Sequence, residues 1–243
     1  MAKPIHMPTM KLAKATKTAV NTKPFSLVPA AAQRQMYKAL AALKPATTVA
    51  DSGAEVAEIA VCLAIDRHDP VILACAARGA RKVRKVHKNL GGRIANAKSG
   101  RLSAATVSAV AALLGDSKAA AVVCAGKLEK DAKGQQDYRN VFNFAARHKL
   151  PILFLVADTL TPGRRQEPDL RTLYAEFGIP VFTVDANDAI AAYRVTTEAL
   201  HNARHLRGPC VIEALTVNCK SSRAVKPLEL LQGYMERHGN WPL

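Results

Sequence analysis

Five short apolar runs punctuate the chain, each bounded by polar or turn-forming residues. The clearest is Ile152–Val156, which comes after Pro151 and has no polar position inside it. A run this short and this uniformly apolar fits a strand covered on both faces, as in a parallel sheet. Pro180–Val184 repeats the pattern, and the same reading extends to 70–75, 120–125 and 209–215. Between and around these runs, apolar residues recur at helical spacing. They predict helices over 29–44, 53–65, 78–90, 101–114, 135–149, 168–177, 187–206 and 226–238. From residue 70 onward strand and helix largely alternate. Because parallel neighbours need a crossover and a crossover is usually a helix, the pattern predicts a doubly wound, mainly parallel α/β sheet with helices on both faces. No internal repeat is visible.

Length and composition agree with that architecture. The chain has 243 residues, of which 49% are hydrophobic and only 5% aromatic. That suits Ala, Val and Leu helices packed on a parallel sheet with one sizeable core. No apolar run reaches bilayer-spanning length, so no transmembrane helix is expected. The five cysteines, Cys62, Cys75, Cys124, Cys210 and Cys219, are odd in number, scattered and without a CxxC pair. Buried thiols in a reducing compartment, the cytoplasm, are the plain reading.

Charge changes the picture at two places. The formal net charge is +16, and no acid occurs before Asp51, whereas Lys3, Lys11, Lys14, Lys17, Lys23, Arg34, Lys38 and Lys44 do. Residues 1–24 mix Lys with Thr, Ala and Pro and offer no apolar face. They read as a flexible basic arm, leaving 25–243 as one α/β domain with a short polar link at Lys220–Ala224 before the last helix. The arm shares a lack of acids with organellar transit peptides, the alternative address, but contains no Arg; it lacks the apolar core of a secretory signal. The second cluster is Arg78, Arg81, Lys82, Arg84, Lys85, His87, Lys88 and Arg93. A solvated or partner-binding face explains it. Phosphate or nucleic-acid binding is the sharper alternative, although no aromatics interleave to stack on bases.

Two further groupings have structural explanations at hand. His148 and Lys149 close a helix before Pro151 and complement its dipole. Asp185, Asn187 and Asp188 lie where a helix begins, so capping accounts for them more simply than a metal does. No GxSxG, HExxH or GxxxxGK[ST] element occurs, which leaves hydrolase, zinc-protease and P-loop readings without support.

Several segments, in order along the chain, resemble the alpha subunit of thiamine-diphosphate-dependent 2-oxo acid dehydrogenases, the pyruvate dehydrogenase first-component family. They are GAEVAEIAVCLAIDRHD, SGRLSAATVSAVAALLGDSKAAAVVC, GQQDYRNVFNFAARHKLPILFLV, GIPVFTVDANDAIAAYRVTTEALHNARHLRGPCVIEALT and KPLELLQGYMERHGNW. The resemblance implies the thiamine-diphosphate-binding fold, a 2-oxo acid substrate, thiamine diphosphate with magnesium, and assembly as a homo-oligomer or with a beta-type subunit. These are scaffold motifs. The family's metal-binding GDG turn falls on Gly126 and Lys127, and its Asn-Asn pair on Asp158 and Thr159. Gly100 and Leu102 correspond to the loop that props the cofactor's ring, and Leu102 suits an ordinary core position as well. The family's Tyr-Arg-x-His-Gly segment falls on Cys75-Ala76-Ala77-Arg78-Gly79, and its serine-bearing loop on Ser221-Ser222-Arg223.

By this resemblance Gly126, Lys127, Gly100 and Leu102 are the cofactor-contacting positions, and Asp158 and Thr159 the metal-contacting ones. A hard cation bridging a diphosphate wants oxygen ligands. Lys127 supplies an ammonium where the family supplies a carboxylate, so impaired metal and cofactor binding is expected. Three functions stay open: a diverged dehydrogenase alpha-type protein, a non-catalytic structural or regulatory relative in such a complex, and a basic nucleic-acid-associated protein on the same scaffold.

Overall fold

The computed structural model describes residues 26–43, 49–74, 94–97, 101–116, 118–126, 131–160, 170–206, 208–217 and 226–241. The basic arm, the 78–93 cluster, the predicted 78–90 helix and the 220–224 link lie outside them. Among the described residues the elements run α1 (Ala30–Ala41), α2 (Val49–Ala64), β1 (Val71–Leu73), β2 (Ile94–Asn96), α3 (Leu102–Leu113), β3 (Ala121–Gly126), α4 (Ala132–Arg147), β4 (Ile152–Leu160), α5 (Leu170–Glu176), β5 (Val181–Asp185), α6 (Ala189–Leu206), β6 (Cys210–Val217) and α7 (Pro227–Arg237).

The six strands form one sheet in the order β2-β1-β3-β4-β6-β5, and every pairing is parallel. The strands predicted from the runs at 120–125, 151–156, 180–184 and 209–215 are contiguous in it, as the alternating pattern requires. Side chains alternate between two cores. Val122, Cys124, Leu153, Leu155, Ile212 and Ala214 face α1, α2, α6 and α7. Ala121, Val123, Ile152, Phe154, Val156 and Val211 face α3, α4 and α5. Both faces are therefore covered, which is why the central strands read as unbroken apolar runs. Helix α2 is buried continuously from Glu55 to Cys62, because it lies between the sheet and helices α1 and α6.

Two differences from the sequence expectation have physical causes. Strand β2 is not among the predicted strands: it has three residues, of which only Ile94 is buried, so no apolar run marks it. Strand β4 continues four residues past the predicted end. Its partner β6 runs alongside residue for residue, Asp158 opposite Leu215 and Thr159 opposite Thr216. Ladder bonding carries two polar residues that in isolation read as the start of a turn.

Helix ends are closed by local devices. The Asp131 carboxylate accepts from the Gly134 N–H at 2.8 Å and starts α4. At its other end Lys149 takes φ 49°, while the Leu150 N–H reaches the Ala145 carbonyl and the Lys149 N–H the Ala146 carbonyl. This is a Schellman closure with lysine where glycine is usual. At the amino end of the sheet, the fully buried Asp69 accepts from the Ala120 N–H (2.9 Å), the Asp66 N–H (2.8 Å) and the Arg204 guanidinium. It ties the starts of β1 and β3 to α6.

Candidate functional site

In a sheet wound outward in both directions, ligands settle beyond the carboxyl ends of the strands where the winding reverses. Here β2 lies to one side of β1 and β3 to the other, so the reversal falls between β1 and β3. At this end of β3 the pairing with β4 shifts register between Cys124 and Gly126. Such a bulge bends the strand and re-aims the residues beyond it. Gly126 itself takes φ 67°, a left-handed conformation that a side chain would strain. β3 thus ends at the switch point on a glycine in the left-handed conformation. Lys127 and Gly100, the other glycine-loop positions, lie outside the described residues.

Three other site positions lie among the described residues. Leu102, the first residue of α3, is 3% exposed and packs in the core formed by α3, α4 and α5. The amino end of α3 is occupied by protein: the Ser103 N–H donates to the Asp137 carboxylate of α4 at 3.2 Å. Asp158 is buried within β4 on the side of Phe154 and Val156, facing the α4 and α5 layer. Its carboxylate accepts from the Thr159 N–H at 2.7 Å. Thr159 is half-buried, on the opposite side of the strand.

A residue pair that sequence reading missed lies beside Asp158. Tyr174 of α5 is fully buried, and its hydroxyl has no hydrogen-bond partner among the described residues. Burial, then the charges of Glu213 and Asp158, push its phenol far above the usual range. Glu213 of β6 is itself buried and accepts from the Thr183 hydroxyl at 3.3 Å. A lone acid inside the apolar strand Cys210–Val217 was the signal available in the sequence. Asp158 and Glu213 therefore bring two acids into the buried layer under the carboxyl ends of β4 and β6, where Val156 stands between Gly126 and Glu213 in register.

The other candidate groups resolve into structural roles. Asp188 accepts from the Ala191 N–H at 2.9 Å and caps α6, while Asp185 accepts from the Asn187 N–H at 2.9 Å. Cys62, Cys124 and Cys210 are buried thiols outside any disulfide. Burial and then Glu58 push the Cys62 thiol well above its ordinary value, and burial raises Cys210 to about 11. A protonated buried thiol is a poor nucleophile. Among the described residues no three or more His, Cys, Asp or Glu side chains converge on a metal position, and no helix is long and apolar enough to cross a membrane.

The family model described as "Dehydrogenase E1 component" matches residues 76–221, more than half of the chain and all six site positions. The chain belongs to the dehydrogenase E1 component family. The Bacillus subtilis 2-oxoisovalerate dehydrogenase subunit alpha is 29% identical over 115 residues, 40% of this chain and 35% of that protein. The pyruvate dehydrogenase E1 component subunit alpha of Staphylococcus epidermidis is 35% identical over 88 residues, 34% of this chain and 24% of its own length. The chain thus spans about a third or less of these curated relatives. Among solved structures, the 2-oxoglutarate:ferredoxin oxidoreductase from Magnetococcus marinus superposes with a TM-score of 0.48 at 14% identity, covering 67% of this chain and 28% of that one.

For an E1-family chain the implied group is a magnesium-bound thiamine diphosphate, and its donor set can be tested against these residues. Gly126 ends β3 in a left-handed conformation. Asp158 lies on the side of β4 that carries Phe154 and Val156, and Lys127 comes directly after Gly126 in sequence, where the family's pattern has an acid.

Proposed function

We propose that this chain is a diverged dehydrogenase alpha-type subunit that keeps the scaffold for assembly with a beta-type partner and binds magnesium and thiamine diphosphate weakly. One observation carries the reading: Asp158, the position corresponding to a metal ligand, has its carboxylate in the buried layer with Tyr174 and Glu213. The sequence supports it from the other strand, since Lys127 brings a cation to the turn. At an effective dielectric of about 20, two unit charges about 4 Å apart interact by about 4 kcal/mol. Trading an attractive carboxylate for a repulsive ammonium is enough to abolish useful magnesium affinity.

Within that reading, activity on a 2-oxo acid belongs to the complex rather than to this chain's own metal-binding turn. Calorimetric titration of the chain with thiamine diphosphate in the presence and absence of magnesium tests it. The expected result is no magnesium-dependent binding at micromolar concentrations. Magnesium-dependent micromolar binding would overturn the proposal.

A further inference from the structure

We propose that His201 and His205 form a surface chelating site for a divalent transition metal of the copper, nickel and zinc class. The two residues lie four positions apart on α6, both exposed, with ring centroids 4.3 Å apart and an interplanar angle of 51°. Residues at this spacing share one face of a helix, and two imidazoles so placed can hold one metal between them. Two metal–nitrogen bonds of about 2.0–2.1 Å at a tetrahedral angle put the nitrogens about 3.3 Å apart. Rings already in contact reach that separation by small side-chain rotations.

The surroundings favour a cation. The helix is held firmly from its other side, where Ala192, Thr196, Ala199, Leu200 and Ala203 are buried. Arg204, between the two histidines in sequence, is engaged by Asp66 at 3.0 Å and by the buried Asp69, so its charge is neutralised away from the pair. Glu198 lies one turn before His201 and is also exposed. Two pairs elsewhere have the same spacing, Phe144 with His148 and Tyr234 with His238. Each has only one imidazole and makes an internal comparison. No third protein ligand converges among the described residues, so the other coordination positions are left to water or to a donor from another molecule. Imidazole nitrogen selects borderline metals over magnesium, which prefers oxygen. The site is therefore chemically separate from the Gly126 turn.

The test is titration of the full, tag-free chain with Cu²⁺, Ni²⁺, Zn²⁺ and Mg²⁺ by calorimetry, with electron paramagnetic resonance of the copper form. One site is expected, with Cu²⁺ bound more tightly than Ni²⁺ or Zn²⁺ and no Mg²⁺ binding. The copper spectrum should show two coordinated nitrogens. Either His201→Ala or His205→Ala should weaken binding about tenfold or more, because the second ligand no longer acts at high effective concentration. His148→Ala and His238→Ala should leave it unchanged. Both target side chains are exposed, and circular dichroism will confirm that the variants fold. Binding that survives either His201→Ala or His205→Ala at full strength, or wild-type binding no tighter than theirs, would overturn the proposal.

Discussion

Tyr174→Phe should make the protein more stable. The substitution removes one oxygen from a side chain with no exposed surface, and that oxygen makes no hydrogen bond among the described residues. A buried hydroxyl without a partner costs about 1–3 kcal/mol in mutational comparisons. The ring stays in place, held edge-on against Phe142 with centroids 5.1 Å apart, so its packing is retained. A small dispersion loss for the missing atom offsets part of the gain. The net expectation is about 1–2 kcal/mol, or about 2–8 °C in Tm for a domain of this size. Urea unfolding of wild type and variant at neutral pH measures it, with equal slopes confirming that only stability has changed. Destabilisation by more than about 0.5 kcal/mol would mean that the hydroxyl has a partner. It would refute the description of this layer.

The sheet base and the helix ends make two further stability predictions. Asp69→Ala should cost about 3–5 kcal/mol, since it strands two backbone N–H groups and part of the Arg204 charge; a loss below about 1 kcal/mol in denaturant unfolding would contradict the network. Lys149→Gly should gain about 0.5–1 kcal/mol, because the left-handed conformation at φ 49° penalises lysine while glycine adopts it freely; loss of stability in the same assay would contradict the closure.

The sheet is legible in the sequence because four of its strands are covered on both faces. Burial erases polar positions, and Ile152–Val156 then stands out from any loop, whereas Pro180–Val184, on the sheet edge with only Val184 buried, is legible from its apolar residues alone. Strand β2 is not legible, since an edge strand with one buried residue of three carries almost no apolar signal. The end of β4 escapes local reading for a related reason. Asp158 and Thr159 look like a turn until β6 is seen to run beside them, and pairing between distant segments leaves no mark in local composition. Asp185, Asn187 and Asp188 are legible as a helix start because capping is local chemistry. The charged layer is not: Asp158, Tyr174 and Glu213 come from three separate elements, and only the fold brings them together. Leu102 fits both of its readings by sequence, and its burial assigns it to the core.

The most direct test of the proposed function puts the lost carboxylate back. Wild type and the variant Lys127→Asp should be titrated side by side with magnesium and thiamine diphosphate. The account predicts that wild type shows no magnesium-dependent binding at micromolar concentrations, and that the variant gains measurable affinity once a carboxylate stands next to Gly126. Micromolar magnesium-dependent binding by wild type would contradict it, and no gain in a folded variant would show that the Gly126 turn is not the diphosphate position.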